Sequence, residues 1–164
     1  MDFLLNGKNA FAATGGREFD PALPSVVLIH GAGFDHTAWA LHSRYFAHHG
    51  CSVLVPDLPG HGRSQGPALR TIGEMADWIA ALLEAARATK ARLIGHSMGS
   101  LIALETAVRH PEKVSALGLI GTSAAMTIIS LKKSWSRLSS GLIFAGALAS
   151  AAFSAFSSWS AILS

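Results

Sequence analysis

Residues 91–111, ARLIGHSMGSLIALETAVRHP, restrict the fold of this chain more than any other stretch. Residues 92–96 read as a short, apolar, buried strand. Gly95-His96-Ser97-Met98-Gly99 then turns the chain sharply. Leu101, Ile102, Leu104, Ala107 and Val108 continue at helical spacing, and Pro111 ends the helix. A serine at such a strand-to-helix corner forms a nucleophile elbow. The corner demands strained backbone at Ser97. A Cβ at Gly95 or Gly99 would collide with the neighbouring strand or helix, so both must be small. The turn lifts Oγ above the sheet edge at a helix N-terminus, where backbone N–H groups can receive an oxyanion.

The rest of the folded part alternates strands with helices. Residues 3–5 and 10–13 flank Asn6-Gly7, a favoured hairpin turn, and read as two antiparallel strands. Residues 25–30, SVVLIH, form a continuous apolar run of strand length, as in a strand covered on both faces. His30-Gly31-Ala32-Gly33 follows at once. Glycines at the end of a buried strand let backbone N–H groups turn toward a ligand, and an elbow needs a second donor from such a loop. Asp35 is expected to cap the next helix, with Trp39 and Phe46 on its buried side and Gly50 as its stop.

Residues 52–56 are another buried strand, followed by Asp57-Leu58-Pro59-Gly60-His61-Gly62-Arg63-Ser64, a loop dense in turn formers. Asp57 and Ser64 are expected to hold that loop through side-chain to backbone hydrogen bonds. Thr71 and Glu74 have capping-box spacing, and Met75, Trp78, Ile79, Leu82 and Ala86 form one helix face. Residues 114–120 are a further buried strand. The order implies an α/β fold, a mostly parallel sheet with helices on both faces.

The 164 residues are enough for one domain, and half are hydrophobic, so a sizeable core can form. Cys51 is the only cysteine, so no internal disulfide is possible. It reads as a small buried residue at a strand start, and it points to a reducing, cytoplasmic compartment. The first residues, MDFLLNGKNAF, lack a basic region followed by a long apolar run, and no secretory signal is expected. The net charge of +3 is unevenly placed. Residues 1–112 are near neutral, and residues 113–164 carry four cations and no acid. No basic face interleaved with aromatics occurs in the folded part, which speaks against nucleic acid as a partner.

Beyond Thr122 the composition changes. Residues 124–164 contain no Asp, Glu, His, Pro, Asn or Gln, and Lys132, Lys133 and Arg137 are their only charges. Three readings compete for this segment. It could be a lid-like helix over the site, a membrane segment, or a non-native ending such as a shifted frame or a truncation. Six serines from Ser150 onward weaken the membrane reading. The abrupt loss of acidic, amide and proline residues favours the third. The chain therefore divides into residues 1–123 and an atypical tail, 124–164.

The motifs VVLIHGAGFDHTAW, VLVPDLPGHGRS, LIGHSMGSLIALETAVRHPEKV and LIGTS, in this order and spacing, make residues 25–123 resemble the α/β-hydrolase fold family. The likeness is to its single-domain esterase, lipase, C–C hydrolase and haloperoxidase-like members. By this resemblance Ser97 is the catalytic nucleophile. The Met98 N–H and an N–H of the Ala32–Gly33 turn form the oxyanion hole. Gly31, Gly95 and Gly99 hold the motif backbones, and His30 and Asp57 occupy structural positions. The resemblance implies no metal or organic cofactor and a small ester-type substrate.

One departure matters. The family's triad runs serine, acid, histidine along the chain. Here the last acid is Glu112 and the last histidine His110, both before residue 114. The sheet is thus expected to be incomplete, with residues 114–120 as an open edge. His96 should point away from Oγ by strand alternation, and His36 or His61 are the loop imidazoles left as stand-in bases. Loss of triad members lowers turnover on the order of 10⁴- to 10⁶-fold, so this chain is expected to be impaired. The alternative is a non-catalytic binding or membrane-associated protein that keeps the cleft.

Overall fold

The computed structural model describes residues 1–121. The readings placed on residues 124–164 lie outside that range. Six strands form one sheet in the order β1-β2-β4-β3-β5-β6. β1 (Asp2–Leu5) and β2 (Lys8–Ala13) form the hairpin, with Asn6 and Gly7 at φ 51° and 75° in its turn. β2 pairs antiparallel with β4 (Ser52–Pro56). From β4 onward the sheet is parallel, through β3 (Ser25–Ile29), β5 (Ala91–His96) and β6 (Val114–Ile120). All four parallel strands therefore end at the same edge of the sheet.

Period-two alternation sorts the side chains of the central strands between two cores. Val27, Ile29, Leu54 and Leu93 face α2 (Ile72–Ala85) and α3 (Met98–Arg109), packing with Ile79, Leu82, Leu83, Ile102 and Leu104. Val26, Leu28, Val53, Val55 and Ile94 face the other way, onto Trp39, Phe46 and Ala47 around α1 (Ala40–His48). Both faces are covered, which is why these strands read as unbroken apolar runs. Each large side chain taken fully out of water contributes about 1.5–3 kcal/mol.

The capping box of α2 is present as read. Glu74 N–H donates to Thr71 Oγ1 at 3.1 Å, and Thr71 N–H donates to Glu74 Oε2 at 3.0 Å. Asp35 caps something shorter than expected. Its carboxylate takes the Thr37 N–H at 2.8 Å and starts a 3₁₀ turn, His36–Trp39, and α1 begins only after it. The reason is tertiary: His36 is held by Asp57, which fixes the entry to the helix. Among the described residues no helix is long and apolar enough to cross a membrane.

β3 has β4 on one side and β5 on the other, while the chain visits them in the order β3, β4, β5. Successive connections thus leave β3 in opposite directions. Open α/β sheets usually take their ligand at such a reversal, at the carboxyl ends of the strands. Ser97 and the loop beginning at His30 both sit there.

Candidate active site

β5 ends at His96, α3 begins at Met98, and Ser97 alone makes the corner at φ 53°, ψ −118°. A positive φ is costly for a residue with a Cβ, of the order of 1–3 kcal/mol, and persists only where the surroundings impose it. Here they do. The Ser97 N–H donates to Ile120 O of β6 at 2.9 Å, and its own carbonyl takes the Ser100 N–H at 3.0 Å. A Cβ on Gly95 would fall against the Gly99 carbonyl and the Ser100 amide nitrogen. One on Gly99 would fall against the Ile29 carbonyl oxygen and come within 2.8 Å of His30 O. Helix and strand backbones thus touch at two points where only glycine fits.

A serine preceding a helix ordinarily turns its hydroxyl back to cap it. Ser97 makes no such bond. Its side chain is exposed. Among the described residues no hydrogen bond to Ser97 Oγ occurs. The Met98 N–H, first in α3, has no acceptor within the helix.

The loop after β3 lies against this corner. A Cβ on Gly31 would come within 3.3 Å of Ser97 Cβ, His96 O and His96 Nδ1. Residues 31–34 form a turn closed by Phe34 N–H donating to Gly31 O at 3.3 Å, with Gly33 at φ 75°. Ala32 and Gly33 are exposed at its tip. The structure therefore brings Ser97, Met98 and the Gly31–Ala32–Gly33 turn together, at the N-terminus of α3.

His30 sits beneath, fully buried. Its Nδ1–H donates to Gly31 O at 2.8 Å and its Nε2 accepts the Leu58 N–H at 3.2 Å, the pattern of a neutral imidazole. Burial holds its pKa below the ordinary 6.5, with the neighbouring His61 adding to the effect. It ties the two loops together.

Asp57 is fully buried too. Its Oδ1 accepts the His36 N–H at 2.7 Å and its Oδ2 the Arg63 N–H at 2.8 Å. His36 Nδ1 bridges both oxygens at 2.9 and 3.0 Å. Ser64 completes the loop, its hydroxyl donating to Asp57 O and accepting the Phe11 N–H at 2.9 Å. Asp35, His36 and Asp57 bring donor atoms within 4.8 Å of one another. Asp35 is engaged with Thr37 and Asp57 with two backbone amides and the His36 ring, so these side chains clasp the two loops together.

Among the described residues, none of these imidazoles is hydrogen-bonded to Ser97 Oγ. His36 is on Asp57, and the His61 ring packs 5.1 Å from that of His30, with Nδ1 3.2 Å from Pro59 O. His96 packs edge-to-face on Phe34 at 6.4 Å.

Sequence reasoning passed over Ser100. It is buried, and its hydroxyl touches Gly95 O and both polar atoms of the Ile120 backbone. The one local signal was a serine at the third position of an apolar helix face.

Residues 24–145 match the alpha/beta hydrolase fold family. Over 100 residues the chain is 44% identical to the pimeloyl-[acyl-carrier protein] methyl ester esterase of Chromobacterium violaceum, covering 61% of this chain and 37% of that protein. The solved structure of the enol-lactonase from Burkholderia xenovorans superposes with a TM-score of 0.68 at 26% identity, over 76% of this chain and 47% of that one. A bacterial membrane phospholipase A gives a TM-score of 0.68 at 33% identity, over 75% and 39%. The chain thus spans less than half the length of each of these relatives.

Proposed function

The chain belongs to the alpha/beta hydrolase fold family, and from that premise we propose that Ser97 is an acyl-transfer nucleophile acting on a small carboxylic ester or related carbonyl compound. One observation carries the reading. A strained, exposed serine whose hydroxyl caps nothing stands beside a glycine turn at a helix N-terminus. Oγ attacks the carbonyl carbon, the carbonyl π pair moves to oxygen, and the hydroxyl proton must leave. The oxyanion is received by the Met98 N–H and an N–H of the Ala32–Gly33 turn. Collapse expels the alkoxide, which takes up a proton, and water then hydrolyses the acyl-serine. The similarity to an esterase and an enol-lactonase supports a carbonyl substrate.

The proton transfers are the weak step. No described imidazole is hydrogen-bonded to Ser97, and residues 113–164 contain no histidine, aspartate or glutamate. We therefore propose that this chain, by itself, turns over esters slowly, with attack and oxyanion binding retained but no built general base. Oxyanion stabilisation and binding alone leave on the order of 10³ to 10⁴ over water. Buried, free Cys51 is in keeping with a cytoplasmic setting. A p-nitrophenyl ester assay on the purified chain and on Ser97→Ala tests the reading, with fluorophosphonate labelling of Ser97 beside it. Slow turnover that requires Ser97 is expected. Turnover indifferent to Ser97 would favour the second reading, a ligand-binding protein that keeps the cleft without the chemistry.

A further inference from the structure

Serine and threonine inside helices usually turn their hydroxyls onto the carbonyl four residues back. Thr106 does so, with Oγ1 2.7 Å from Ile102 O. Ser100 does not. Its Oγ leaves its own helix and meets two strands: Gly95 O of β5 at 2.7 Å, and Ile120 O and N of β6 at 2.9 and 3.1 Å. The side chain is 1% exposed, so water does not share these bonds.

A hydroxyl has one hydrogen to give. Ile120 O already accepts the Ser97 N–H at 2.9 Å. The Ser100 hydrogen therefore belongs on Gly95 O, the shorter contact, and Oγ accepts the Ile120 N–H. One residue of β6, Ile120, then grips both ends of the corner. Its carbonyl takes the Ser97 amide, and its N–H takes Ser100, whose hydroxyl in turn holds β5. The strained φ of Ser97 lies inside this closed set of bonds.

We propose that Ser100 is a positioning residue for Ser97: its hydroxyl locks α3 to β5 and β6 and so fixes where Ser97 Oγ stands relative to the Gly31–Gly33 turn. This rests on the acyl-transfer reading above. Without the hydroxyl, the Ile120 N–H and Gly95 O lose a buried partner, and the corner can relax toward ordinary φ, moving Oγ. The middle of α3, held by Ile102 and Leu104 in the core, is not affected.

The test uses the 164-residue chain and two readouts. Amide hydrogen exchange at Ser97 should quicken about tenfold in Ser100→Ala, while Leu104 and Ala107 exchange as before. The Ser97-dependent kcat for p-nitrophenyl acetate should fall about tenfold with KM unchanged, because misplacing a reacting atom acts on the transition state. Ser100→Cys, which keeps a weak donor, should lie between, and it replaces Ser100→Ala should that variant not fold. Ser97-dependent turnover that stays within about twofold of wild type overturns the assignment of Ser100 alone, as does a lowered kcat with unchanged exchange at Ser97. Turnover that survives Ser97→Ala overturns the acyl-transfer reading and the role of Ser100 with it.

Discussion

Replacing Gly95 by alanine puts a methyl group where β5 and α3 share backbone contact. The new Cβ would fall against Gly99 O, Gly99 C and Ser100 N, all main-chain atoms of the first helical turn. A flexible side chain can swing aside, but this backbone cannot move without shifting the whole of α3 off the sheet. Overpacking a well-filled core costs about 1–3 kcal/mol, and a collision with backbone belongs at the top of that range, about 3 kcal/mol. Two controls separate space from backbone conformation. At Gly118 the three atoms nearest the added Cβ all belong to the Ile94 side chain, the first at 3.2 Å, and the cost should be about 1 kcal/mol or less. At Gly33 no atom lies within 4 Å, but φ is 75°, and alanine there should cost about 1–2 kcal/mol through strain alone. Urea unfolding followed by far-ultraviolet circular dichroism gives the answer. With a slope of about 1.5 kcal/mol/M, Gly95→Ala should lower the midpoint by about 2 M. A Gly95→Ala midpoint no lower than that of Gly118→Ala would refute the claim that the corner is built on backbone contact.

Three further outcomes follow from the same geometry. Ser97→Gly should raise stability by about 1 kcal/mol, since glycine tolerates φ 53° without strain, and Ser97→Ala should not; equal midpoints would show that the corner stores no strain. Asp57→Ala should cost about 3 kcal/mol, because it removes the buried carboxylate that holds the His36 and Arg63 N–H groups and the His36 ring, and a loss under about 1 kcal/mol would mean the clasp is not needed. The third concerns pH. Burial lowers the pKa of His30 in the folded chain below 6.5, so below that pH the unfolded chain binds the proton and the folded chain does not. Stability should therefore fall as pH drops from 7 toward 5, with this imidazole contributing a slope of up to about 1.4 kcal/mol per pH unit. His30→Gln should flatten the profile in thermal melts, and an unchanged slope would place the effect elsewhere.

How much of this was legible in the sequence depended on the range of the interaction. The elbow was legible because its constraints are local: Gly95 and Gly99 stand two residues either side of Ser97, and the collisions they avoid follow from a strand meeting a helix. The unbroken apolar runs of 25–30 and 52–56, and the Thr71–Glu74 box, are equally short-range. The clasp was not legible in full. Asp57 and Ser64 were expected to hold their own loop, but the His36 side chain, 21 residues away, gave no local sign of joining them. The same clasp displaced the Asp35 cap onto a 3₁₀ turn. Ser100 was missed because its partners, Gly95 O and the Ile120 backbone, are main-chain atoms of other strands, which leave no mark in side-chain pattern. The pairing of Arg109 and His110 with Asp77 went unnoticed because the partners stand 32 and 33 residues apart in the chain.

The central claim is that Ser97 is the attacking group and that these 164 residues handle its proton poorly. The most direct measurement is steady-state hydrolysis of p-nitrophenyl acetate by the purified chain, by Ser97→Ala, and by a full-length esterase relative under the same conditions. The account predicts turnover on the order of 10⁴-fold below the relative, falling to background in Ser97→Ala. Turnover matching the relative, or unchanged by loss of the Ser97 hydroxyl, would contradict it.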